Sequence, residues 1–174
     1  MSRLRLEAAG AVLASAFLVK GELGASRVEA EKAHDINPES FVYLEWIGWL
    51  LALVGDWERG TALIRRSIER NPGHIPVALH ALWADHLRRG ELEEAYHVAL
   101  RFSDSTFFWR ALMRGASLGL LGRKAEAKRE AAELLRQKPD FAKRGRTLIG
   151  RYIKFPELHA RIVSGLAKAG LALD

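Results

Sequence analysis

Cysteine is absent from the 174 residues. Disulfides and thiolate metal sites are thereby excluded, and the composition fits a reducing, cytoplasmic setting. Other absences narrow the chemistry further. There is no HExxH run, no GxSxG turn, no glycine-rich phosphate loop and no pair of carboxylates in an apolar setting, so the usual metal, nucleophile and nucleotide signatures are missing. His80, Asp85 and His86 lie close together in sequence. Helical ligands must share a face at three or four residues apart, and His80 and His86 do not. No metal, no cofactor and no catalytic residue is therefore expected, and the chain reads as a non-enzyme. No long hydrophobic run occurs either: the most apolar stretch, residues 41–54, is too short to span a bilayer.

What is present is a chain long enough for one well-buried domain, with 49% apolar residues and a formal charge of +6. That basic excess is mild and mostly arginine. At the N-terminus, Arg3 and Arg5 precede the apolar run 8–19 in the manner of a secretory signal, but Glu7 interrupts the likeness. Reading the same run as the first helix of a repeat also explains its stop at Gly21.

Residues 41–72 organise the rest as a helical hairpin. The first helix is apolar on every face except at Glu45, the pattern of a helix buried all round. Gly55 can turn left-handed to end it, and Asp56 can cap the next. In that next helix Ala62, Leu63, Ile64 and Ile68 form an apolar stripe, and Asn71-Pro72 stops it. The hairpin recurs with a period of about 34 residues, the signature of stacked helical pairs. Asn37-Pro38 returns as Asn71-Pro72, and Gly21 returns as Gly55, Gly90 and Gly122.

The succession of small residues, turn glycine and closing proline resembles the tetratricopeptide repeat. The first unit offers Ala14, Phe17, Gly21, Ser26, Ala30, Ala33 and Pro38; the second Leu44, Ile47, Gly48, Leu51, Gly55, Gly60, Ile64, Ser67 and Pro72. The third gives Leu79, Leu82, Trp83, Gly90, Ala95, Ala99 and Phe102, and the fourth Gly115, Leu118, Gly122, Ala127, Ala131, Leu134 and Pro139. The resemblance implies an all-α, right-handed α-solenoid of four hairpins at about 4–38, 39–72, 74–104 and 106–139, closed by a capping helix pair over 140–174, all one domain. Gly48 falls at a close helix crossing. Trp83 replaces a small residue, so wider spacing is expected there, with a looser turn through 103–106. Arg110 and Arg114 are expected as an exposed stripe, and Asp140 as a helix cap. The basic residues after Pro139 suit the polar outer face of a terminal cap.

From Gly55 to Leu171 the order GDWERG, RRGELEEA, FFW, LGRKAEA, KPDFA and PELHARIVSGLAKAGL is similar to the C-terminal repeat region of bacterial class III adenylate cyclases and related signalling regulators. This implies a sensory or protein-binding module, or a regulatory fragment whose catalytic domain lies elsewhere. Family grooves are lined by the first helix of each unit, which implies a partner-binding surface of Val42, Glu45, Trp46, Trp49, Leu53, His80, Trp109, Leu112 and Met113. Glu45 reads as facing that groove or meeting an arginine. The stripe holds no lysine or asparagine, so a peptide carboxylate is not the expected ligand. Its apolar excess calls for a cover, either an apolar protein segment or a second copy, giving a homodimer centred on the second unit. Nucleic acid is not the expected partner. Arg123, Lys124, Lys128, Arg129, Lys143, Arg144 and Arg146 could form a basic face, but the tryptophans that would stack bases lie elsewhere.

Overall fold

In a computed structural model the described residues are 2–40, 43–70, 76–103 and 107–174. They form ten α-helices and no strand. These are α1 (Arg3–Lys20), α2 (Leu23–Ile36), α3 (Leu44–Leu53), α4 (Trp57–Arg70), α5 (Pro76–Arg89), α6 (Leu92–Arg101), α7 (Trp109–Leu120), α8 (Lys124–Gln137), α9 (Phe141–Gly150) and α10 (Pro156–Lys168). The fold class is the all-α one expected. Asn71-Pro72, Val42 and residues 104–106 lie outside the described residues, and so do the expectations placed on them. Contacts gather the chain into two compact units, Met1–Ala81 and Leu82–Asp174.

The four turn glycines behave as their spacing implies. Gly21, Gly55, Gly90 and Gly122 all have positive φ, between 76° and 107°, a region open to glycine because a Cβ would collide with the backbone there. At Gly21 the amide donates to the Leu18 carbonyl and Glu22 N–H donates to Phe17, closing α1 with a left-handed cap.

In the first unit, α1 pairs with α2 and α3 with α4. The first hairpin buries Ala11, Ala14 and Leu18 against Ala30 and Ala33, and Ser26 Oγ donates to the Ala14 carbonyl at 2.8 Å. The second packs backbone on backbone. A Cβ on Gly48 would sit 2.8 Å from the Gly60 carbonyl oxygen, and one on Gly60 would sit 2.5 Å from that of Gly48. The buried side of α4 is Gly60, Thr61, Leu63, Ile64 and Ser67. Ala62 is exposed instead, since the stripe follows the narrow line that fits the α3 backbone and Ala62 lies off it. Asp56 accepts from Arg27 at 3.1 Å. Glu31 accepts from Arg59 and Glu39 from Arg66 and Arg70, so ion pairs lace α2 and the turn after it to α4.

In the second unit α7 pairs with α8, and α10 lies across α7. Gly165 meets the Ala116 backbone with a would-be Cβ 3.0 Å from its carbonyl carbon, and a Cβ on Gly119 would run into Gly165. The segment after Pro139 is therefore not an outer cap alone. Its second helix is seated on a first helix through a glycine crossing of the same kind as in the second hairpin. Helix α9 stops at Gly150, because Ile153 turns inward and Pro156 holds Phe155 extended (φ −91°, ψ 115°). Asp140 makes no side-chain cap, since its carboxylate is held by Lys138 and Arg144. Leu173 packs on Gly145, Arg146 donates to the Leu173 carbonyl, and Asp174 N–H donates to Ala142.

Arg110 and Arg114 are half-buried rather than an exposed stripe. Arg114 donates to the carbonyls of Ala99, Leu100 and Phe102 at 3.1–3.4 Å, closing the end of α6, where the last carbonyls have no helical partner. Arg110 approaches Glu133 at 3.9 Å.

Two substitutions test this packing by chemical denaturation. Gly60→Ala and Gly48→Leu should each lower stability by about 1–3 kcal/mol, because neither side of the crossing has room for a side chain; unchanged midpoints would refute the crossing. Arg114→Ala should cost about 1–3 kcal/mol through the uncapped carbonyls, with Arg114→Lys recovering only part. Full recovery by lysine would show that charge alone is at work.

Candidate functional site

The side chains implied as a groove lie on α3, α5 and α7. In the first unit Glu45, Trp49, Leu53 and His80 are buried, and Trp46 is half-buried. In the second, Trp109, Leu112 and Met113 are buried. The expected open apolar face is therefore corrected: of the described members, Trp46 alone keeps a solvent edge.

The cause is visible in the contacts. First helices meet one another through these residues. Trp46 Nε1 donates to Ser15 Oγ at 3.0 Å, and Ser15 Oγ donates to the Ala11 carbonyl at 2.9 Å, tying α3 to α1. Trp49 Nε1 donates to His80 Nδ1 at 3.2 Å, tying α3 to α5. In the second unit the stripe of α7 is covered by its own chain, as α10 lies over Ala116 and Gly119. Trp109 stands edge-on to both Trp83 and Tyr152, with centroids 6.5 and 6.3 Å apart. Trp83 is wholly buried and donates to Ser117 Oγ at 2.9 Å. Sequence reasoning missed α10 as the cover, although Gly165 inside SGLAKAG carried the signal: a glycine amid apolar helical residues usually has a packing reason.

The groups with possible chemistry are used in packing or pairing. Burial pushes the His80 imidazole down to about 3, so it stays neutral with Nδ1 as acceptor for the Trp49 indole. Asp85 pairs with Arg88 and Arg89, and His86 meets Glu91 at 2.6 Å. His80, Asp85 and His86 do not converge. The Glu7 carboxyl is buried in the first unit and raised above the usual range by desolvation, with the Ser40 hydroxyl acting against that rise.

Comparison with protein-family models and with curated proteins returns no match. Among solved structures the fold is similar to MamA of AMB-1, at 17% identity and TM-score 0.60, over 97% of this chain and 92% of that one. MamA of MSR-1 gives 18% identity and TM-score 0.60 over 94% of each chain. PilF of Pseudomonas aeruginosa gives 20% and 0.65 over 97% of this chain and 78% of that one. These are tetratricopeptide-repeat proteins, and at such identities the likeness is one of fold. The fold class is accordingly the tetratricopeptide-type α-solenoid.

His80 makes the pH dependence testable. The unfolded imidazole takes up a proton below about 6.5 and the folded one only near 3, so between those values the unfolded state binds more protons and acidification favours it. The stability His80 contributes is whole above pH 6.5 and falls toward pH 3, by several kcal/mol, on the order of 4. Glu7, raised when folded, works in the opposite sense above pH 4.5. Denaturation midpoints of wild type and His80→Gln between pH 8 and 4.5 should therefore converge on acidification. A constant gap would show that His80 is not held neutral.

Proposed function

We propose that the chain is a non-catalytic protein–protein interaction module, its hairpins belonging to one repeat domain over residues 1–174, working in the cytoplasm. The observation that carries this reading is the use made of its polar side chains. His80 ties α3 to α5 and Arg114 closes the end of α6, while Asp85 and Glu133 pair with arginines on their own helices and His86 with Glu91 at the next turn. What is left to a partner is a rim. Trp46, at 6.1 Å from the Tyr43 ring, gives an aromatic edge beside the otherwise buried α3, suited to an apolar protein segment.

The basic residues support protein over nucleic acid. Arg123 is held by Glu126 and lies over the Tyr96 ring, and Arg144 is held by Asp140, so part of the basic series is already neutralised. The finer likeness, to the regulatory repeat region of adenylate cyclases, rests on the order of sequence motifs and would place the chain beside a catalytic domain in a signalling protein. Membrane insertion has no candidate among the described residues, where no helix is long and apolar enough to cross a bilayer.

A photoreactive phenylalanine at Trp46 of the full chain, irradiated in the native host, tests the reading. A discrete protein adduct is expected there and not at the buried Trp57 position. Adducts to nucleic acid, or cyclic nucleotide made from ATP by the isolated chain, would contradict it.

A further inference from the structure

From Ala8 to Val19 helix α1 is apolar on every face except at Ser15. Its inner line, Glu7, Ala11, Ala14 and Leu18, is buried in the first hairpin, yet the opposite line is apolar too. Leu6, Ala9, Leu13 and Ala16 are all exposed, with Leu13 at 44% and the neighbouring Val12 at 57%. A solvated helix face is normally polar, so this one is built to be covered.

The spacing says by what. Leu6, Ala9, Leu13 and Ala16 follow one another at three, four and three residues, the a/d alternation of a two-stranded coil. Large and small residues alternate along it. If a second α1 runs antiparallel with its midpoint at residue 11, Leu6 falls opposite Ala16, and Ala9 opposite Leu13. Each leucine then meets an alanine, and no pair of leucines or of alanines collides or gapes. A parallel pairing would set leucine on leucine and alanine on alanine. Charge agrees with the antiparallel sense. Arg3 and Arg5 occupy the first turn of α1, which has no acidic residue, so they sit unfavourably at the positive end of their own helix dipole. In the antiparallel pair they lie beside the negative end of the other helix and its exposed Glu22.

We propose that this face is the contact through which two copies of the chain associate, α1 against α1 in a two-fold antiparallel pair. The proposal rests on the reading of the chain as an interaction module and names a self-association surface for it, on α1 rather than on the second hairpin. An 18-residue helix is about 27 Å long. One helix pair buries less than a standard interface of about 1,200 Å² or more, so dissociation on the order of tens of micromolar is expected.

Sedimentation equilibrium of the full chain up to several hundred micromolar should show the mass rising from 19.4 kDa toward twice that value. Leu13→Glu should weaken association at least about tenfold, by burying a charge at the seam, with the helical spectrum retained because Leu13 is exposed. Val28→Glu, on the exposed face of α2, should leave association unchanged. Because the chain has no cysteine, single thiols report the register. An equimolar mixture of Leu6→Cys and Ala16→Cys, treated with a short bismaleimide, should give mainly the mixed dimer, since in this register the like positions lie about 15 Å apart along the axis. A monomeric wild type, a Leu13→Glu variant that dimerises as before, or a predominance of like-with-like cross-links would each overturn the proposal. A monomer that still gives protein adducts at Trp46 would overturn the α1 contact and not the interaction reading.

Discussion

Two helices whose axes approach until backbone touches backbone leave no space for a side chain at the crossing, and this protein sets glycine at both ends of that contact. Gly48 faces Gly60 in the second hairpin, and within the second unit Gly119 faces Gly165, beside Ala116. Close approach brings the flanking residues into reach: Leu63 and Ile64 around Gly48, Leu166 beside Gly115. Interior packing of that density makes a single added methyl costly. The glycine positions therefore fix where each helix can sit, and the larger side chains fill what remains.

Sealed first helices follow from the same constraint. Once α3 and α4 are drawn together and α10 is seated on α7, the tryptophans of the first helices have nowhere to go but inward, and their indole N–H groups need acceptors there. Three of them have a small or neutral one: Ser15 for Trp46, His80 for Trp49 and Ser117 for Trp83. A charged His80 could not accept from an indole, and burial keeps it neutral. Ion pairs to arginine hold Glu31, Glu39 and Asp85, and Arg114 caps the end of α6.

Much of this was legible in the sequence, because the features that specify it are local. The four turn glycines, the period of the hairpins and the Gly48 crossing all rest on residues whose backbone demands show in their type and spacing. The candidate groove was less legible. A line of Trp49 and Leu53 in the first unit, or of Trp109 and Leu112 in the second, reads the same whether it faces a partner or the protein's own interior; α1 and His80 settle it for the first pair and α10 for the second. Arg114 was misread for a related reason. On its own helix it interrupts an apolar face, and its role appears only when the carbonyl ends of α6 are beside it. The exposed line of α1 went unnoticed as a surface because the helix is apolar on both sides, so no amphipathic contrast marks which side is outside.

The central claim is that the apolar stripes of α3 and α7 are closed from within by their own chain. Acrylamide quenching of tryptophan emission, measured at a protein concentration low enough to keep the chain monomeric, tests it directly. Trp49, Trp57, Trp83 and Trp109 are buried and Trp46 is half-buried. The account predicts blue-shifted emission with most of the intensity shielded and a single accessible fraction that Trp46→Phe removes. Quenching of most of the intensity at the rate of free indole, with the helical spectrum intact, would mean that the groove stands open and the account is wrong.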